Sequence, residues 1–153
     1  MLIRRDRGML AVTIMLEVAF HGGRTATVNA GDIADRLGVA RRGLEPLLQM
    51  LSRGGLLESL RGPRGGYRLA RPGRDIGLAS IIGAVSQIPS SDDCEPADGP
   101  AGALQVAVVD PLWSEIDQVI TAELQALTLD DLMKRAAAAG LRRPQAEPIS
   151  FAI

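Results

Sequence analysis

Hydrophobic positions in the first half of the chain change their period several times, and each change marks an element. Residues 9–20 are apolar on most faces, interrupted by Glu17, which predicts a core helix needing cover on more than one side. His21, the only histidine, follows at the C-terminal end of that helix, where the helix dipole favours a cation. Residues 24–28 form an irregular or β-like link. Ile33, Ala34 and Leu37 then share one face of a short helix that Gly38 ends as a C-cap. Val39 enters a brief turn. Leu44, Leu47, Leu48 and Leu51 return at helical spacing as an inward stripe, and Gly54-Gly55 stop it. Two short apolar runs follow, 56–60 and 67–69, joined by Arg-Gly-Pro-Arg-Gly-Gly. Pro63 pre-sets one turn dihedral and Gly65-Gly66 supply positive φ at little cost, so this stretch predicts a β-hairpin.

The second half has a coarser pattern. Residues 78–88, with Ile81, Ile82 and Val85 in register, predict a short helix leading out of the hairpin. Residues 89–103 have no periodic face and read as a loop. From 104 or 110 to 127 the period returns, with Val109, Leu112, Trp113, Ile116, Val119, Ile120, Leu124 and Leu127 on one stripe. Asp110-Pro111 supplies an N-cap and first-turn pair, so a helix can begin there. A helix this long has more apolar face than so small a chain can cover, and pairing with its own copy across a two-fold axis would cover it. Residues 129–139 form a last helix, and 140–153 lack periodicity and read as a tail.

Helix, short turn, helix, basic hairpin is the order of a winged helix-turn-helix. The fold class that follows is mainly α with a small β-hairpin: a winged helix-turn-helix domain plus a long dimerisation helix. Residues 1–75 are expected to form the DNA-binding part, 76–139 a sensor loop and dimerisation helices, and 140–153 the tail. The second helix of the motif would enter a major groove, and the hairpin would reach an adjacent groove or the backbone. Arg61 and Arg64 at the hairpin tip, and Arg68 on its return strand, suit phosphate or a narrow groove. Taken alone, an arginine-decorated turn is more simply a solvated one; the helices ahead of it change that balance.

Charge sharpens the picture. The whole chain carries a formal −1, which looks wrong for a nucleic-acid binder until it is divided. Residues 1–75 hold 13 Arg and 7 acids, net +6, and residues 76–153 hold 4 cations and 11 acids, net −7. A basic half for DNA and an acidic half turned away fit that division. With 153 residues and 46% apolar content, the chain can bury one core plus an oligomerisation element. Arg4, Arg5 and Arg7 before the apolar run imitate a secretory leader, but Glu17 interrupts it and no small-residue cleavage pattern follows. No segment is long enough to span a bilayer. The expected location is cytoplasmic.

Chemistry-bearing constellations are absent. There is no Ser/His/Asp set and no phosphate-binding glycine loop at a strand-to-helix junction. The acids Asp92, Asp93 and Glu95 lack the spacing of a calcium loop. An enzyme is not expected. A winged-helix protein-interaction module that has lost DNA binding is the alternative reading.

Over residues 3–135 the chain resembles the IscR-, NsrR- and CymR-type winged-helix repressors of bacteria. The resemblance is carried by Leu44-Glu45, GGLLESLRGPRGGYRLARP (54–72), LASIIGAV (78–85), Trp113 and LTLDDL (127–132). It implies a homodimer on a pseudo-palindromic operator, the long helix crossing at the dimer interface, and Arg42, Glu45 and Arg61 at base-edge or groove contacts. Those residue types fit: arginine pairs bidentately with guanine and glutamate accepts from cytosine. With Arg41, Gln49, Arg64 and Arg68 they make up the expected DNA-contacting set. Pairing of Glu45 with Arg41, Arg42 or Gln49 is the simpler use of that carboxylate.

Two departures from the family pattern stand out. Members usually carry glutamine or another helix former after the glutamate; here it is Pro46. Proline deep in a helix costs roughly 3 kcal/mol. A helix starting near Gly43 would put Pro46 in the first turn. Arg41 and Arg42 would then sit in the turn or at the helix lip and favour phosphate. The second departure concerns the sensor. Many members hold an iron–sulfur cluster through three cysteines ahead of the dimer helix, whereas this chain has Cys94 alone. Ala107 stands where the third would be, and Asp110 where some members have histidine. Cluster iron normally takes four ligands, mostly thiolates. Only a mixed site shared between protomers and drawing on His21, Asp or Glu could substitute, so no cofactor is expected. Cys94 is then either a passive thiol or a one-thiol redox switch, forming an inter-subunit disulfide or a sulfenic acid. Its acidic neighbours raise a thiol's pKa, which argues against high reactivity. A small molecule or a partner protein remains as effector.

Overall fold

A computed structural model describes residues 5–86 and 102–144. Six α-helices and one hairpin follow in the order α1 (Arg5–His21), α2 (Ala30–Leu37), α3 (Arg41–Arg53), β1 (Leu57–Leu60), β2 (Gly66–Leu69), α4 (Leu78–Val85), α5 (Asp110–Ala126) and α6 (Leu129–Ala138). The expected fold class holds: mainly helical, with a two-stranded wing after a helix-turn-helix. The sequence readings for residues 89–101, including Cys94, and for residues 145–153 lie outside the described residues.

Spacing dictates what each helix buries. Ala11, Ile14, Met15 and Val18 of α1 lie at i, i+3, i+4, i+7 and are all inaccessible. That helix packs against α4, α6 and β2, so it forms the spine of the core. On its flank, Glu17 lies 3.2 Å from His21 Nε2 and 3.8 Å from Arg36 Nη1 of α2. His21 does end α1, and its ring also faces Glu17.

α2 begins and ends as its sequence dictates. Asn29 Oδ1 accepts from the Asp32 amide at 2.8 Å while its Nδ2 donates to the Asp32 carboxylate at 2.7 Å, a reciprocal N-cap. Gly38 closes the helix in the left-handed region, φ 64°, and the Val39 amide reaches back to the Ala34 carbonyl.

The start of α3 corrects the sequence reading. It begins at Arg41, not near Gly43, and continues through Pro46 to Arg53. Arg41 and Arg42 are therefore the first two helical residues rather than part of the turn. Two physical facts explain this. Leu44, Leu47, Leu48 and Leu51 are all buried, and that stripe fixes the helix against the core whatever happens on its outer side. Pro46 lacks the N–H that would otherwise reach the Arg42 carbonyl, but Arg42 is exposed and water can serve that carbonyl. The cost of the proline falls where it is smallest.

The wing is antiparallel, with Leu57 opposite Leu69, Glu58 opposite Arg68, Ser59 opposite Tyr67 and Leu60 opposite Gly66. Alternation puts Leu57 and Leu69 into the core and turns Glu58 outward. A third segment joins it: Val28 and Tyr67 exchange both backbone bonds, at 2.8 and 2.9 Å. The β-like link expected at 24–28 is thus a one-residue edge of the wing. The turn uses its glycines partly as expected. Positive φ falls on Gly66 (φ 158°) and also on Gly62 (φ 115°), whereas Gly65 is needed for space alone. A Cβ on Gly65 would stand 2.6 Å from the Leu60 carbonyl oxygen, and one on Gly66 2.6 Å from that of Val28.

The C-terminal elements return to the first. Leu78 donates to the Leu127 carbonyl and Leu129 to that of Ile76, both at 2.9 Å, stitching the start of α4 to the start of α6. Leu129 is completely buried, and α6 packs on α1. Thr128 and Asp131 form a capping box at the start of α6. Before α5, residues Gln105–Val109 form a π-helical segment. Helical backbone therefore runs into Asp110 from upstream, and Asp110 does not cap α5; its carboxylate accepts from Gln105 Nε2 at 2.8 Å. Pro111 does lie in the first α-helical turn. α5 packs on α4, where Ile116, Ile120 and Leu124 are partly covered. No residue of α5 is buried.

Candidate nucleic-acid interface

The geometry of α3 divides its residues into two rows. At 3.6 residues per turn, the buried leucines define one side, and Arg42, Pro46, Gln49 and Arg53 (i, i+4, i+7, i+11) form the row directly opposite. All four are exposed. Arg41 and Glu45 flank that row and pair with each other, Nε to Oε1 at 3.4 Å. The simpler reading of Glu45 as a partner of Arg41 is therefore what the helix shows. Both side chains are more than half exposed, so this pair constrains orientation weakly and adds little stability.

Arg53 joins this row beyond the expected contact set; its spacing from Arg42 through Gln49 is the sequence signal for it.

The wing divides its cations in the same way. Arg68 Nε donates to Glu58 Oε2 at 2.9 Å across the two strands. This hydrogen bond, with the attraction of the opposite charges, holds the Glu58 carboxyl below the usual carboxylate range and raises the Arg68 guanidinium. Arg68 is thereby a strut of the wing. Arg61 and Arg64 are exposed at the tip, and among the described residues neither forms an ion pair; the same holds for Arg42. Thr27 fixes the tip from below, its hydroxyl donating to the Arg64 carbonyl at 2.8 Å. That anchor spans 37 positions of sequence, and no local pattern announces it.

No group of three or more His, Cys, Asp or Glu residues capable of holding a metal ion occurs among the described residues. No helix of the described residues is long and apolar enough to cross a membrane.

A helix-turn-helix with an exposed outward row, followed by a wing with two uncommitted arginines at its tip, defines the winged-helix class of transcription regulators. The chain belongs to the Rrf2 family, described as iron-dependent transcriptional regulators, which it matches over residues 5–135. It is 35% identical over 129 residues to the HTH-type transcriptional regulator IscR of Xenorhabdus nematophila, covering 84% of this chain and 77% of that protein. IscR of Vibrio atlanticus is equally similar, with 73% of its length covered. Among solved structures, T. potens IscR superposes with a TM-score of 0.67 at 29% identity, over 91% of both chains. CymR, the global cysteine regulator of B. subtilis, superposes with 0.63 at 29% identity, over 88% of this chain and 98% of its own. The chain is thus an Rrf2-family transcription regulator, a family of regulators rather than enzymes.

Proposed function

We propose that the protein is a homodimeric, sequence-specific DNA-binding repressor that occludes a promoter by occupying a pseudo-palindromic operator. Each protomer would read one half-site about one helical turn from the other. The carrying observation is the outward row of α3 together with the uncommitted Arg61 and Arg64 of the wing. In this reading Arg42 and Gln49 face base edges, and Arg61 and Arg64 reach a groove or phosphates. Arg41, Glu45 and Arg68 orient the set through their pairs. The exposed apolar side of α5 supports the dimer. The site of action is double-stranded DNA in the cytoplasm.

The family description names iron, and this chain's donor set does not fit a thiolate-bound cluster. It has one cysteine, and Ala107 and Asp110, which the resemblance sets where a third cysteine and, in some members, a histidine stand, lie in helical segments. One thiol per chain leaves most of an iron site unfilled. The input is then a small molecule or a partner protein, with oxidation of Cys94 as a further route.

The test is selection of bound duplexes from a randomised DNA pool with purified protein. An enriched inverted repeat is expected. Retention that is weak, salt-sensitive and indifferent to sequence would overturn the reading in favour of a winged-helix protein-interaction module.

A further inference from the structure

The outward row of α3 contains a residue that the fold does not explain. Pro46 occupies the sixth helical position, in the middle of the row Arg42, Pro46, Gln49, Arg53. It is exposed, so it contributes nothing to the leucine stripe, and it deprives the Arg42 carbonyl of its helical donor. Any helix former would hold α3 against the core better. Gly43 repeats the anomaly one turn earlier: it too lowers helix propensity, and a Cβ placed on it would meet nothing within 4 Å. Neither residue is required by packing, turn geometry or left-handed backbone. Local rules broken without structural gain concentrate at functional surfaces.

The chemistry of this pair narrows its use. Between two hydrogen-bonding side chains, Arg42 and Gln49, the helix presents a rigid apolar ring beside a position without a side chain. A phosphate would find no side-chain donor at Pro46 or Gly43. A base edge that offers only hydrogen-bonding groups would lose its water without compensation. The major groove has one apolar feature, the 5-methyl group of thymine. The seven steps from Arg42 to Gln49 rise about 10 Å along the helix, about the height of three base pairs, so Pro46 falls at the centre of a short reading window.

We infer that Pro46 is a specificity-determining residue whose ring packs on a thymine methyl at one position of each half-site, Gly43 allowing the helix to approach closely enough for contact. This rests on the DNA-binding reading above.

The experiment uses the full chain and the operator recovered by selection. Each thymine is replaced in turn, symmetrically in both half-sites, by deoxyuridine, which lacks only the methyl. Affinity is measured by fluorescence anisotropy for the native protein and for Pro46→Gln. One position is expected at which the native protein loses about fourfold per half-site, the factor for one apolar carbon returned to water. Pro46→Gln should be indifferent to the methyl at that position alone. It should also unfold at a higher temperature, since a backbone donor is restored, which shows that its altered reading is not a folding defect. Native protein that ignores every methyl overturns the inference, as does Pro46→Gln with undiminished methyl sensitivity. Failure to recover any operator overturns the DNA-binding reading itself, and this inference with it.

Discussion

Individual arginines of the wing are equivalent in sequence and unequal in structure. Arg68 is committed to Glu58, whereas Arg61 is exposed at the tip without an ion pair among the described residues. Arg61→Ala is therefore expected to weaken operator binding by about 1–3 kcal/mol while leaving binding to random duplex nearly unchanged. Titration at several salt concentrations checks this. An even loss on all sequences, with a salt slope smaller by about one ion, would assign Arg61 to phosphate instead. Arg68→Ala should chiefly loosen the hairpin. The candidate cations are legible in sequence because the arginine-bearing hairpin follows two helices in winged-helix order. Their partners are not: the Glu58–Arg68 pair exists only once strand register is set, and Thr27 meets Arg64 across 37 positions.

Elements were legible where local chemistry alone fixes them. Gly38 ended α2 and the Gly-Pro-Arg-Gly-Gly turn made the hairpin, because backbone conformation at those positions has few solutions. The start of α3 lies two residues ahead of the position local rules favour because a tertiary force, burial of four leucines, outweighs the local penalty at Pro46. The π-helical segment before α5 carries no turn residue to announce it. Helix α6 shows how an element's end couples to solution conditions. The Asp131 carboxylate accepts from the Thr128 hydroxyl at 2.7 Å, from Lys134 Nζ at 3.0 Å and from the Thr128 amide at 3.0 Å, which lowers its pKa from 3.8 to about 2. A carboxyl depressed in the folded state stabilises the fold where the unfolded one is also ionised. That contribution is complete above about pH 4 and is lost as pH falls toward 2. Asp131→Asn should therefore unfold earlier than the native chain at pH 6, with the difference narrowing below pH 4 in urea titrations followed by circular dichroism. Thr128→Ala, which removes the cap, should cost about 1 kcal/mol at neutral pH.

At the scale of the whole molecule, the chain has a finished side and an unfinished one. The core around α1 takes in α2, α3, the wing, α4 and α6, while α5 is only partly covered by α4 and has no fully buried residue. Leu104 is 79% exposed and Val119 65%, with Val106, Val108, Leu112 and Trp113 about half exposed. So many large apolar side chains on a single helical run are more than isolated surface residues explain. The charge division points the same way. Under the proposed function the basic first half suits DNA, and the acidic second half, repelled by phosphate, suits a protein contact. Val119→Glu tests the two-fold pairing with little risk to the fold, because Val119 supports no core contact. The native protein should sediment as a dimer and the variant as a monomer with an unchanged circular dichroism spectrum. Because two linked half-sites bind with an avidity of 10² or more over one, the variant's operator affinity should fall by about that factor. Its affinity for an isolated half-site should not change, since α3 and the wing are untouched. A variant that remains dimeric would place the two-fold contact elsewhere. A monomeric native protein that still holds the full operator tightly would make the exposed side of α5 a seat for a different protein.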